Sequence, residues 1–97
     1  MIGQPESRGP EDVTVTAVLV VDVQRDFCPD GALAVPNGDR VVPVLNQILR
    51  AAHARRLTVY ATRDWHPSDS SHFLAGGGAW PVHCVAGSPG ARLHPDL

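Results

Sequence analysis

The chain has 97 residues, with 8 basic and 10 acidic side chains and a formal net charge of −2. All of the basic residues are arginine, so these residues supply no lysine for catalysis or phosphate binding. Hydrophobic residues make up 43% of the chain and charged residues 19%, values typical of a globular domain and not of a disordered tail. No apolar run approaches the about 20 residues of a membrane helix. There is also no basic stripe, so we expect neither a membrane nor a nucleic acid as partner.

The cysteines and the N-terminus indicate a reducing compartment. Cys28 and Cys84 lie far apart and do not resemble the disulfide framework of a small secreted domain. No secretory signal is visible, so a cytoplasmic location is predicted. Residues 1–12 are polar and rich in Gly and Pro, which predicts a loose lead-in before a single domain over residues 13–97.

The first half of the chain predicts a strand, a helix and a second strand. Residues 13–21 form an almost continuous aliphatic run, typical of a strand buried on both faces of a parallel sheet. A loop over residues 23–38 follows, and Asp39 is predicted to cap a helix. Residues 57–62, which include Tyr60 as a packing residue, predict the second strand. The apolar stripe of the helix comprises Val41, Leu45, Ile48, Leu49 and Ala52.

This order predicts an α/β fold with a parallel sheet and a right-handed crossover. Residues 63–97 have no clear period and are rich in Gly, Pro, Ser, His and Trp, which indicates a functional loop region. Two parallel strands and one helix cannot cover both faces of a sheet. The chain is therefore expected to be either an unusually small domain or the front part of a larger, doubly wound one.

A mixed set of carboxylate and imidazole groups follows the second predicted strand. Such ligands suit Zn²⁺, Fe²⁺ or Mn²⁺, and the D-x-H spacing lets two side chains of an extended segment point the same way. Surface histidines in a loop are the alternative interpretation. The set comprises Asp64, His66, His72 and His83.

Asp22 lies where the first predicted strand ends, the edge at which open α/β sheets bind ligands. It is interpreted either as a residue that caps a turn or as a general base. Phe27, Trp65 and Trp80 are loop aromatics that either fill the core or form the walls of a pocket for a flat ligand. Cys28 and Cys84 are interpreted as structural thiols and not as nucleophiles.

Three long motifs resemble one family of enzymes. They are VLVVDVQRDFCPDGALAVPNGD from Val18, YATRDWHPSDSSHF from Tyr60 and WPVHCVAGSPGARLHPDL from Trp80. The segment from residue 18 to residue 97 resembles the nicotinamidases of the isochorismatase-like (cysteine hydrolase) superfamily. The DVQ-x-DF motif is widespread in that superfamily, whereas DWHP together with WPVHC is more particular to nicotinamidases.

The resemblance implies a doubly wound, three-layer α/β domain that hydrolyses nicotinamide to nicotinate and ammonia in NAD salvage. It implies a divalent metal, Zn²⁺ by preference, with Fe²⁺ or Mn²⁺ as alternatives, and it leaves homo-oligomerisation open. Asp22 corresponds to the general base of the family. Phe27 and Trp80 correspond to residues of the pyridine pocket. The implied metal ligands are Asp64, His66 and His83, with His72 as an additional ligand in some members.

The sequence departs from this family in one respect. The family mechanism also uses a lysine and a cysteine nucleophile, both of which follow the HP-x-L type of segment that ends here at Leu97. Neither Cys28 nor Cys84 occupies the motif of the nucleophile. We therefore expect the 97 residues to represent the N-terminal half of such a domain, to be inactive alone, and to expose an apolar sheet edge. Another isochorismatase-like hydrolase, or an inactive metal-binding module, is the alternative.

Overall fold

A computed structural model describes residues 14–97, so the predicted lead-in over residues 1–12 lies outside the described residues. In chain order the main elements are strand β1 (Ala17–Val21), helix α1 (Val41–Ala54) and strand β2 (Thr58–Thr62). β1 and β2 pair in parallel, with Ala17 opposite Thr58 and Val21 opposite Thr62. The predicted β-α-β unit is present, and its parallel strands bring their carboxyl ends to the same edge of the sheet.

Both strands are shorter than predicted. β1 begins at Ala17 because its pairing with β2 begins there, while residues 14–16 precede it without strand structure. Val13, the predicted first residue of this strand, lies outside the described part. β2 begins at Thr58 and not at Leu57, because the Leu57 N–H donates to the Ala52 carbonyl at 2.9 Å and is held at the end of the helix.

Helix α1 occupies the predicted place, but its cap and its buried face differ from prediction. Asp39 lies in a short 3₁₀ turn, Gly38–Arg40, and Arg40 takes the N-cap position without a side-chain cap bond. Val42 is buried, whereas Val41 and Ile48 of the predicted stripe are about half exposed. The prediction was wrong about these positions because the sheet, and not the helix itself, decides which flank of a broad apolar stripe is covered.

The main core lies between α1 and one face of the sheet. The helix residues Val42, Leu45 and Leu49 pack there with Leu97 and the strand-side residues Val18, Val20 and Val23. The opposite face is open within residues 14–97, where Leu19 and Val21 are each 60% exposed and Tyr60 is 58% exposed. The predicted burial of β1 on both faces and of Tyr60 is therefore wrong for the described residues, since α1 covers only one face.

The region after β2 returns across the carboxyl edge of the sheet. It contains short 3₁₀ turns at Leu74–Gly76 and Pro89–Ala91, and isolated bridges pair His66 with Val85 and Gln24 with Leu93. These contacts hold the loop against the segment that follows β1. Along residues 14–97, no helix has the length and apolar character needed to cross a membrane.

Candidate metal centre

The carboxyl edge of the sheet brings together residues that are far apart in the sequence. Asp22 directly follows β1, and Asp64 follows β2 by two residues. The His66 N–H donates to the Cys84 carbonyl at 2.9 Å, and the His66 carbonyl accepts from the Ala86 N–H at 2.7 Å. The segment that carries His83 is therefore held alongside the segment that carries Asp64 and His66.

Three of the four predicted metal ligands converge. The Nε2 atom of His66 lies 2.9 Å from Oδ1 of Asp64, and the Nε2 atom of His83 lies 3.1 Å from Oδ2 of the same carboxylate. One potential ligand atom from each of the three residues lies within 4.8 Å of the others. His83 is buried and the other two are partly buried, so the group is shielded on one side and open on the other.

The tautomer of His83 bears on what this group can hold. Its Nδ1 atom lies 2.7 Å from the Pro81 carbonyl, which can only accept, so Nδ1 carries the proton. In a neutral imidazole, Nε2 then presents a lone pair to the carboxylate of Asp64. Two acceptors at 3.1 Å repel each other unless a cation or an additional proton lies between them. A metal-binding histidine typically has its other nitrogen bonded to a carbonyl in this way.

The donor set fits a small divalent metal. Zn²⁺ binds imidazole nitrogen and carboxylate oxygen at about 2.0–2.2 Å, which places neighbouring ligands of a tetrahedral site about 3.4 Å apart. The two nitrogen–oxygen distances, 2.9 and 3.1 Å, are somewhat shorter than that value, so a small outward movement of the side chains would accommodate the metal. Two histidines and one carboxylate also match the ligand type of catalytic zinc sites that keep an open position.

His72 lies beside this group but is not part of it. Its side chain is exposed, and its ring centroid lies 5.5 Å from that of His66 in an edge-on arrangement. It lines the same cavity as the three clustered residues. The structure therefore places His72 at the rim of this cavity, on the open side of the cluster of Asp64, His66 and His83, which is called the metal group below.

A cavity of about 400 Å³ adjoins the metal group. Phe27 and Trp80 line it, and the Phe27 ring lies 5.8 Å from the His83 ring. Trp65 does not line it and instead packs under the guanidinium of Arg63, at 4.4 Å. The lining comprises Phe27, Leu33, Asp64, His66, His72, Trp80 and His83.

Asp22 lies at the end of β1 with a backbone φ of 55°. Its Oδ1 accepts a hydrogen bond from the Thr62 hydroxyl at 2.7 Å, and its N–H donates to the Thr62 carbonyl at 3.2 Å. This pairing ties the ends of β1 and β2 together. Asp22 does not line the cavity of about 400 Å³.

Three further residues, of which Phe73 and Gln24 are buried, support the site without having been predicted to do so. Phe73 is 1% exposed, and its ring lies 5.3 Å from that of His66 and 5.5 Å from that of His83. Asp26 accepts from the Cys84 N–H at 2.8 Å. Gln24 bonds the backbone of Asp64. Gln24 and Asp26 follow a strand that ends at the candidate site, and this position is the sequence feature that could have identified them.

Both thiols are poor nucleophiles in this structure. Burial raises the pKa of Cys84 to about 12, and the negative charges of Asp64, Asp26 and Asp22 add to the effect. Burial also raises the pKa of Cys28, with a smaller contribution from Asp39. Because the reactive form of cysteine is the thiolate, both side chains stay neutral and unreactive near neutral pH.

A family model, the isochorismatase domain, matches residues 16–97. The chain belongs to this family. The resemblance inferred from the motifs is confirmed at that level, and so is the α/β fold class with a parallel sheet.

Individual relatives are nicotinamidases and pyrazinamidases. The chain is 42% identical over 96 residues to the nicotinamidase of Escherichia coli K12, a match that covers 84% of this chain and 45% of that protein. A pyrazinamidase of Pyrococcus horikoshii in complex with zinc aligns with a TM-score of 0.76 and 46% identity, over 82% of this chain and 47% of that one. The yeast nicotinamidase bound to the inhibitor nicotinaldehyde aligns with a TM-score of 0.74 and 29% identity, over 82% and 49%. The isochorismatase-family chain thus spans less than half the length of these relatives.

Proposed function

We propose that this chain carries the metal-binding part of a nicotinamidase-type amidohydrolase site. The reaction is the hydrolysis of nicotinamide with water to nicotinate and ammonia, a step of NAD salvage in the cytoplasm. The observation that carries the proposal is the group of Asp64, His66 and His83 beside a cavity lined by aromatic rings. The relatives support it, since they are nicotinamidases and pyrazinamidases by name.

The proposed ligands are Asp64, His66 and His83, with Zn²⁺ as the preferred metal and Fe²⁺ or Mn²⁺ as alternatives. A divalent metal held by these residues would supply a Lewis acid beside the cavity. The Nδ1–H bond from His83 to Pro81 fixes its ring so that Nε2 faces the metal group. His72 stands on the open side of the group, where it is suited to act as an additional ligand.

The cavity suits a small flat ring. Phe27 and Trp80 present aromatic surfaces to it, and Leu33 adds an aliphatic one. Such walls favour an uncharged heteroaromatic substrate, because offset stacking and burial act on the whole ring face. A polar atom of the ring would then meet the imidazole and carboxylate groups at the base of the cavity.

Asp22 is the proposed general base. Its carboxylate lies at the end of β1, the edge where ligands bind in open α/β sheets. The Thr62 hydroxyl donates to Oδ1 at 2.7 Å and so orients the group while Oδ2 remains available to take a proton. A base of this kind contributes about 10²- to 10⁴-fold to a rate.

The thiol nucleophile and the lysine of the family mechanism have no counterpart among these residues. Both cysteines are buried and carry raised pKa values, and the sequence contains no lysine. We therefore expect the 97 residues alone to release no ammonia from nicotinamide above background. A metal-binding module without hydrolytic activity is the second candidate function, and the same two observations favour it.

A chimera separates the two candidates. Residues 14–97 would replace the segment of the E. coli nicotinamidase that aligns with them, and ammonia release from nicotinamide would be measured with zinc. Turnover that is lost with Asp22→Asn, but kept with the same change at Asp69, an exposed residue outside the cluster, supports the amidohydrolase site. A folded, zinc-loaded chimera without turnover would instead favour the metal-binding module. Hydrolysis of nicotinamide by the 97-residue chain alone would contradict the expectation that the thiol nucleophile and the lysine must come from outside these residues.

A further inference from the structure

Gln24 is the most completely buried polar residue near the metal group, with 0% exposure. Its Oε1 accepts from the Asp64 N–H at 2.7 Å, and its Nε2 donates to the Asp64 carbonyl at 2.8 Å and to the Ala91 carbonyl at 2.8 Å. The partners fix the orientation of the amide, because an N–H must face an oxygen and a carbonyl must face a donor. The side chain thus satisfies three backbone groups at once.

Two of these hydrogen bonds hold the backbone of a single residue, Asp64. The amide of Gln24 meets both the N–H and the C=O of Asp64, as a neighbouring strand would in a ladder. The regular pairing of β1 with β2 ends at Val21 and Thr62, so the side chain extends the hydrogen bonding beyond the last paired residues. The backbone of Gln24 is itself held on its other side, by its bridge to Leu93.

Asp64 is the residue on which the metal group depends. Both of its carboxylate oxygens are engaged, one with His66 at 2.9 Å and one with His83 at 3.1 Å. With its N–H and C=O fixed, Asp64 keeps only side-chain rotation to adjust the position of those oxygens. A shift of its backbone would move both contacts together.

We propose that Gln24 is a positioning residue of the metal centre, which acts through the backbone of Asp64 and touches neither metal nor substrate. The inference rests on the metal site of the proposed function. Glutamine suits the role because its amide combines an acceptor and two donors at one end. Partners outside the ligand set typically change metal affinity by about 10- to 100-fold when removed.

The test measures zinc affinity and the visible spectrum of bound Co²⁺ for the full 97-residue chain and its variants. Gln24→Met keeps the length of the side chain but removes all three bonds, and Gln24→Glu keeps one acceptor while turning an oxygen toward two carbonyls. Both should lower zinc affinity at least about tenfold and alter the Co²⁺ bands. Val42→Ala, which loosens the core between α1 and the sheet, is the control for lost stability and should change neither property per folded molecule.

If Gln24 acts through Asp64, the effect of changing Gln24 should depend on the presence of the Asp64 side chain. In an Asp64→Ala background, Gln24→Met should cause little additional loss of affinity, because the group it positions is gone. Gln24→Met and Gln24→Glu chains that bind zinc within about twofold of the parent, with unchanged Co²⁺ bands, would overturn the proposal while leaving the metal site intact. A parent chain that binds no zinc would overturn the metal site itself and this role with it.

The parent chain offers a measurement that does not depend on whether a variant folds. The Asp64 N–H, held by a fully buried acceptor, should exchange with deuterium much more slowly than the N–H of the exposed Trp65 beside it. Exchange at equal rates would show that Gln24 does not hold Asp64 in solution and would overturn the proposal.

Discussion

The Nε2 atom of His83 lies 3.1 Å from Oδ2 of Asp64. The proton of the neutral imidazole is on Nδ1, where it meets the Pro81 carbonyl at 2.7 Å. The facing atoms are then a lone pair and a carboxylate oxygen, an arrangement that gains stability from a cation. The second oxygen of Asp64 faces His66 at 2.9 Å, so the same cation can satisfy both pairs.

Removal of any one of the three clustered ligands should abolish tight zinc binding. We expect His66→Ala, His83→Ala and Asp64→Asn each to weaken binding by about a hundredfold or more, since even partners outside the ligand set are worth about 10- to 100-fold. Calorimetric titration with Zn²⁺ provides the measurement. His53→Ala, in the last turn of α1, makes the same chemical change outside the cluster and should leave affinity unchanged.

The same titrations assess His72. Its exposed ring faces the cluster from 5.5 Å, so we expect His72→Ala to have a smaller effect than the other histidine substitutions. If His53→Ala and His83→Ala lowered zinc affinity equally, a specific metal site at the cluster would be contradicted.

Asp22→Asn should remove the activity of an active chimera while preserving its fold. Asparagine is close in shape, tolerates the φ of 55° and still accepts from the Thr62 hydroxyl, but it cannot take a proton. We expect kcat to fall about 10²- to 10⁴-fold. Zinc content and thermal stability should match those of the parent, and retained turnover would exclude Asp22 as the base.

The clustering of Asp64, His66 and His83 could be predicted from the sequence, because the three residues lie in one short region and all have side chains of types that bind metals. Asp64 and His66 follow a strand at the D-x-H spacing, and His83 lies in a second motif of the same loop region. Pairing in the order β1-β2 then brings the carboxyl ends together, as parallel topology requires. The separation of His72 from the group could not be predicted, because spacing in a loop does not give distance.

The supporting residues were harder to predict for a physical reason. Gln24 and Asp26 bond the backbone of Asp64 and the N–H of Cys84. Their position after the strand places them near the site, but the sequence does not show which backbone groups they bond. The buried flank of α1 was missed for a similar reason. Val42, and not Val41, faces the sheet because the angle of the helix against the strands selects one side of its apolar stripe.

Asp26 and Gly90 should be coupled energetically. The Asp26 carboxylate accepts from the N–H groups of Cys84 at 2.8 Å and Ala32 at 3.2 Å, and it lies where a Cβ of residue 90 would be. Asp26→Ala should lower the free energy of unfolding by about 1–3 kcal/mol. Gly90→Ala should cost about as much through overpacking.

A double-mutant cycle, measured by urea unfolding, tests this coupling. The double variant should be more stable than the sum of the single effects predicts, because Asp26→Ala removes the atoms that the new methyl group meets. Gly77→Ala is the control for backbone strain, since its Cβ would meet no atom within 4 Å. The loss of unfolding free energy caused by Gly77→Ala should simply add to that caused by Asp26→Ala. If the effects of Gly90→Ala and Asp26→Ala were also additive, the proposed contact between residue 90 and the Asp26 carboxylate would be contradicted.

Cys28 and Cys84 should resist alkylation in the folded chain. Burial raises the pKa of both thiols, that of Cys84 to about 12, so neither forms much thiolate at pH 8. Mass spectrometry after iodoacetamide treatment should show almost no modification under native conditions and two modified residues in urea. Rapid native alkylation of either residue would show that it is more exposed, or more acidic, than the structure indicates.

The raised pKa of Cys28 also predicts a loss of stability in alkali. The unfolded chain releases this proton near the ordinary thiol value of about 9, whereas the folded chain retains it. The stabilising difference is therefore fully present below pH 9 and declines as the pH rises above it. Cys28→Ala should reduce this decline in urea unfolding experiments, and an unchanged pH profile would contradict the assignment.

The open face of the sheet should make the isolated 97-residue chain associate. Leu19 and Tyr60 lie opposite each other on that face, at 60% and 58% exposure, and exposed apolar surface of this kind drives contact between molecules. Sedimentation velocity should show a concentration-dependent increase in mass that Leu19→Arg together with Tyr60→Arg suppresses. Val44→Arg places an arginine at an exposed valine of α1 and controls for charge alone. A chain that stays monomeric at all concentrations would contradict this prediction, and equal suppression by Val44→Arg would move the contact away from the sheet.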